Sequence, residues 1–130
     1  MKHYNVVAAV VCHDGKFLCM QKGKTKFEYT SYKWEFPGGK IELGETPQQA
    51  LARELMEEME YPVEVGDELV TVNHEYPDFS ITMTAFLCTP KGDANGFRRR
   101  EHADSKWCSK DELKGLNWAA ADVGVVASIL

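Results

Sequence analysis

The chain has 130 residues, 44% of them hydrophobic, and its 15 basic and 20 acidic side chains leave a formal net charge of -5. That length supports one domain spanning 1–130, with a real core, and not two. The acidic balance gives no electrostatic footprint for duplex nucleic acid, no run approaches the roughly 18 to 20 apolar residues of a membrane span, and a cytoplasmic protein handling a small ligand is expected.

In chain order, "YNVVAAVVC" is a continuous valine-rich run, "HDGK" a turn and "FLCMQK" a second extended run, so the chain opens with paired strands. "GKTKFEYTSYK" has no period and reads as a loop about a dozen residues long, a length often tied to function. Trp34 to Phe36 resume an extended piece that Pro37, Gly38 and Gly39 are expected to stop. Thr46 followed by Pro47 is a helix start, a capping hydroxyl before a proline at the first helical position, and helix formers run from Gln48 to about Met59. Leu51, Leu55 and Met59, joined by Ala52, make the stripe that packs on a sheet.

"ELVTVNHEYPDFSITMTAFLCTP" carries two β-rich runs around "YPD" and predicts a hairpin. "FRRREHADSKWCS" predicts a shorter strand interrupted by a polar loop, "KDELKGL" a helical turn or loop, and "AAADVGVVASIL" a closing amphipathic helix. Cys12, Cys19, Cys88 and Cys108 stand singly in apolar stretches with no C-x-x-C pair, which predicts buried free thiols rather than a disulfide framework or a zinc site. Mixed strands with one helix in the middle and one at the end predict an α/β/α layered sandwich, an α/β fold with a mixed sheet.

Between Trp34 and Tyr61 the chain gathers Glu42, Glu45, Glu54, Glu57, Glu58 and Glu60. At about 100° per residue, Glu54, Glu57 and Glu58 fall within roughly 100° of one helix face, beside the apolar stripe. On the helix alone this is a solvated acidic face, as most charge runs are. If the face lines a cleft, the same acids favour a cation, and hard oxygen donors without Cys or His select Mg²⁺, with Mn²⁺ as a substitute.

The spacing Gly39-x5-Glu45-x7-Arg53-Glu54-Leu55-x-Glu57-Glu58 resembles the signature box of the Nudix hydrolases, here over 39–61, and "EFPGGKIELGETP" is similar to its MutT-type members. The glycine, the arginine and the four glutamates of this pattern, six residues at fixed spacing, arise together by chance in roughly 10⁻⁵ to 10⁻⁴ of chains of this composition. The resemblance extends through "EYPDFSIT", Glu101 to Trp107 and "LNWAAAD". It implies a Nudix-type sandwich that hydrolyses a nucleoside diphosphate linked to another group, as a monomer or homodimer. It also implies that Glu57 and Glu58 are metal ligands, that Glu54 is a ligand or activates water, and that Gly38 lends a carbonyl oxygen to the metal. Glu45 would brace Arg53, Lys40 would face the phosphates, and Glu101 matches a later carboxylate near the metal, against the alternative of a solvated acid. Arg98, Arg99 and Arg100 would either assist phosphates or form a solvated strand end.

The family usually has glycine where this chain has Glu60, because the helix end turns left-handed there. Replacing Glu60 by glycine is thus expected to change activity only a few fold and, if residue 60 is left-handed, to stabilise by up to about 1 kcal/mol.

Near the base, the resemblance offers Lys22, Phe36, Asp78 and Asp122, with core packing as the alternative for Phe36 and Trp118 and an N-terminal helix cap as the alternative for Asp122. An ionised Asp122 can only accept hydrogen bonds, which suits the exocyclic amino group of cytosine or adenine. The implied activity is hydrolysis of a nucleoside triphosphate to monophosphate and pyrophosphate, on CTP, dCTP or a modified relative. The alternatives are an oxidised-dGTP sanitizer, a nucleotide-sugar hydrolase and a non-catalytic nucleotide-binding module.

Overall fold

The computed structural model describes residues 1–130. Seven strands and three helices follow as β1 (Lys2–His13), β2 (Lys16–Lys22), β3 (Trp34–Glu35), β4 (Gly38–Lys40), α1 (Pro47–Met59), β5 (Val63–Glu75), β6 (Phe79–Pro90), β7 (His102–Cys108), α2 (Lys110–Leu113) and α3 (Ala120–Ile129). No helix is long and apolar enough to cross a membrane.

β1 pairs in parallel with β6 over Lys2 to Val11 and antiparallel with β2 and β4. Being central, it is covered on both faces, which is why its sequence is a continuous apolar run and not an alternating one. Val7, Ala9 and Val11 pack with Leu51, Leu55 and Met59 of α1 on one face. Ala8 and Val10 pack with Ala121, Val125 and Val126 of α3 on the other. The fold is a mixed α/β sheet between α1 and α3. The β5–β6 hairpin closes at Tyr76 to Asp78, and all four cysteines are free, three of them buried.

Three local expectations change. Ala50, not Ala52, completes the buried stripe of α1. Gly38 and Gly39 do not stop the chain but form β4, in register with Ala8 and Val7. A side chain at Gly38 would collide with the Val7 carbonyl oxygen and lie 2.9 Å from the Ala8 Cα, so only glycine lets this strand lie against β1. Finally, α3 is not amphipathic in composition: its outer side carries Ala120, Val123 and Ala127, and its burial is set by the sheet and not by a polar stripe.

α1 starts with a capping box, in which Thr46 Oγ1 accepts the Gln49 N–H at 3.1 Å and Gln49 Oε1 accepts the Thr46 N–H at 2.9 Å. It ends at Glu60, whose φ of 48° and ψ of 41° are left-handed. That conformation costs a non-glycine residue about 1 kcal/mol.

Candidate active site

Arg53 is the hub of the acidic helix face. Its Nε donates to Glu45 Oε2 at 2.6 Å and its Nη2 to Glu45 Oε1 at 2.9 Å and to the Lys40 carbonyl at 3.1 Å. Its Nη1 donates to Glu54 at 3.0 Å and to Glu57 at 3.1 Å. The bidentate hydrogen bonds from Arg53 hold Glu45 below the usual carboxylate range, and Glu45 in turn raises the guanidinium. One side chain thus ties the segment after β4 to the helix that carries Glu54 and Glu58.

Beside this hub lies a cavity of about 260 Å³ with no hydrophobic lining, bounded by Glu58, Glu101, Glu35, Gly38, Lys22 and His102 among others. Burial, then the charges of Glu54, Glu101 and Glu35, push the Glu58 carboxyl up to about 8. Glu35, Glu58 and Glu101 line the cavity; Lys22 pairs with Glu35 and Arg53 with the nearby Glu54, while Glu58 and Glu101 have no cation of their own. Such hard oxygen donors suit a divalent ion in their chemistry. No three acid, His or Cys side chains converge tightly enough to enclose an ion by themselves. Mg²⁺ uses few carboxylates and takes further oxygens from phosphates and water, so it does not require a closed cage of side chains. Glu57 stands apart, 61% exposed and held by Arg53.

A larger cavity of about 1040 Å³ adjoins the first and shares Lys22, Thr25, Glu35 and Gly38 with it. Lys22, Phe36, Lys40, Asp78 and Asp122, far apart in the sequence, all line it. Lys40 Nζ sits 4.2 Å from the Tyr4 ring centroid. Asp78 accepts the Tyr29 hydroxyl at 2.8 Å. Phe36 stacks on Trp118 at 4.8 Å, and the Trp118 indole donates to the Leu113 carbonyl, so Trp118 supports the site from behind without lining it.

Asp122 is not the helix cap. Ala119 holds that position without a side-chain bond, while Asp122 lies in the first turn, 2% exposed, its Oδ1 accepting the Phe36 N–H at 3.0 Å. Burial, then the charge of Glu35, push its carboxyl up to about 8, which favours the protonated form at neutral pH.

Two residues of this site have no counterpart in the sequence reading. Glu35 binds Lys22 Nζ at 3.5 Å and His102 Nε2 at 3.0 Å. His102 is 6% exposed, and its buried Nδ1 has no hydrogen-bond partner. A carboxylate can only accept, so His102 Nε2 carries the proton of that bond. The one signal for Glu35 was a charge inside the extended "WEF"; His102 had none.

A family model described as NUDIX domain matches residues 1–128. The chain is 42% identical over 90 residues to an 8-oxo-dGTP diphosphatase of Proteus vulgaris, covering 68% of this chain and 78% of that one. It is 33% identical over 131 residues to the CTP pyrophosphohydrolase of Escherichia coli K12, covering 100% of this chain and 93% of that one. The solution structure of the E. coli ORF135 protein superimposes with a TM-score of 0.82 at 32% identity, covering 99% of this chain and 89% of that one.

Proposed function

The chain belongs to the Nudix hydrolase family, and from that premise we propose that it cleaves nucleoside triphosphates to the monophosphate and pyrophosphate, with a cytosine nucleotide or a modified relative as substrate. The observation that carries this is the junction of the two cavities, where an acid-lined chamber meets a chamber with cations and a base-sized apolar wall, the two sharing Gly38 and Glu35.

Nudix hydrolases work with divalent metal ions, and Glu54, Glu57, Glu58, Glu101 and the Gly38 carbonyl are the donors we assign to Mg²⁺ or Mn²⁺. When bound, the ion neutralises polyphosphate charge and makes water more acidic. The chain's own residues do the rest. Lys40 and Lys22 orient phosphate oxygens, Arg53 and Glu45 hold Glu54 in place, and Glu54 accepts the proton of the attacking water through Oε2, since Oε1 is taken by Arg53. Phe36 walls the base, with Asp78 at the rim.

Base choice follows from the proton on Asp122. The protonated carboxyl donates to the ring N3 of cytosine while the neighbouring Glu35 carboxylate accepts from its amino group. Uracil presents the opposite pattern, a donor at N3 and an acceptor at the ring carbonyl. The rate ratio of CTP to UTP, as kcat/KM, should therefore fall as pH rises through about 8 and Asp122 ionises. The fall should be about 5- to 150-fold, the range expected for one mispaired buried group. Asp122→Asn cannot ionise and should give a flat ratio. A wild-type ratio that does not change between pH 6 and 9 would rule out this base assignment.

A second reading, an oxidised-dGTP sanitizer, is favoured by the same proton, since a protonated Asp122 also donates to a guanine carbonyl. A panel of CTP, dCTP, dGTP, 8-oxo-dGTP and ADP-ribose with Mg²⁺, scored for pyrophosphate against phosphate, separates these. Excess chelator should remove turnover; full activity in chelator would refute the metal assignment, and nucleotide binding without any product would leave a non-catalytic module.

A further inference from the structure

Glu60 is a left-handed residue that is not glycine, and its side chain is engaged across the fold. Its Oε2 accepts from Arg100 Nη2 at 2.6 Å and from Arg98 Nε at 3.1 Å. Around it, the Arg98 N–H donates to the Met59 carbonyl at 2.8 Å and Arg100 Nη1 to the Glu57 carbonyl at 3.5 Å. The next residue, Tyr61, is buried, donates its hydroxyl to the Ala94 carbonyl at 2.7 Å and meets Phe97 edge-on at 5.3 Å. The segment 94–100 is therefore fastened to the C-terminal end of α1, and Glu101 is the residue that follows. The three side chains are 42%, 74% and 53% exposed, so these pairs add little to stability.

We propose that Glu60 is a positioning residue: with Arg98 and Arg100 it holds Glu101 at the distance from Glu54 and Glu58 that the acidic cavity requires. This rests on the reading of that cavity as a metal site. It gives a glutamate a purpose at a backbone position that favours glycine: the carboxylate gathers two arginines that the charge pattern alone left unassigned, and it pulls the end of the β6–β7 connection onto the catalytic helix.

Glu60→Gly, Glu60→Gln, Arg98→Ala/Arg100→Ala and Glu101→Gln separate the possibilities. Glycine removes both the strain and the clamp, while glutamine keeps the strain and loses the charge. Two measurements need no turnover: amide exchange at residues 98–102 in chelator, and Mn²⁺ affinity of the nucleotide-free protein. Exchange at 98–102 should quicken in both Glu60 variants and in the double arginine variant, with melting temperature little changed in Glu60→Gln and the double arginine variant and higher in Glu60→Gly, which also sheds the left-handed strain. Mn²⁺ affinity should fall about tenfold in each, the lower end of what loss of a residue that supports a metal ligand costs, and kcat should fall more than KM rises. The Glu60 and arginine losses should not add, and Glu60→Gly should cost nothing further in the Glu101→Gln background. Unchanged exchange, unchanged Mn²⁺ affinity, or losses that add in the Glu101→Gln background would overturn the proposal. If wild-type protein binds no Mn²⁺, the metal reading fails and the Glu101 role with it, whereas unchanged exchange in Glu60→Gly refutes the clamp alone.

Discussion

Glu58→Gln should lower pyrophosphate release by about 100-fold or more while the protein melts at the same temperature or higher. Glu58 is half-buried among Glu54, Glu101 and Glu35, which together with burial push its carboxyl up from 4.5 to about 8. Below about pH 4.5 the group is protonated in both folded and unfolded chains and costs nothing. Between about 4.5 and 8 the unfolded chain releases the proton more readily than the folded one, so stability falls as pH rises. Solvent reaches the group and screens its neighbours, so the penalty is on the order of 1 kcal/mol. Glutamine has the same shape and no charge, so in chelator the variant should gain on wild type from pH 5 upward and match it at pH 4. Thermal melts across that range, beside turnover with Mg²⁺, check both halves. A large fall in melting temperature with activity retained would mean that the acid serves the fold.

The adjacent glycines should fail in different ways. Gly38→Ala is expected to destabilise by about 3 kcal/mol or more, because its new methyl meets backbone, the Val7 carbonyl and the Ala8 Cα in the central strand, which cannot withdraw. Gly39→Ala should fold almost normally, because its methyl meets the carboxyl end of Glu54, which can rotate away. That rotation takes Glu54 off its 3.0 Å bond to Arg53 and out of the acid crowd. A displacement of about 1 Å at a reacting group costs on the order of 100-fold in rate. Urea unfolding should separate the first variant from wild type and turnover the second. A fully active Gly39→Ala would show that Glu54 is not needed where the fold holds it.

Several elements were legible in the chain itself because local spacing encodes them. Thr46, Pro47 and the Leu51, Leu55, Met59 stripe specify α1, since capping and a 3.6-residue period depend only on near neighbours. The valine run of β1 and the "YPD" hairpin are equally local, and the Arg53 and glutamate spacing marked the acidic face. What tertiary structure decided is contact between residues far apart in sequence. Glu35 and His102 are 67 positions apart and meet only because β2 pairs with both β3 and β7. Gly38 and Gly39 read as a stop because local propensity carries no information about the strand they pair with. Asp122 read as an ionised acceptor at the base edge, with a helix cap as the alternative, and only enclosure beside Glu35 raises its carboxyl far enough to favour the protonated form. Glu60 read as a departure from pattern, and its partners Arg98 and Arg100 lie about 40 residues on. Periodicity and capping act within a few residues, while desolvation and ion pairing depend on which surfaces the sheet brings together, and no local pattern specifies that.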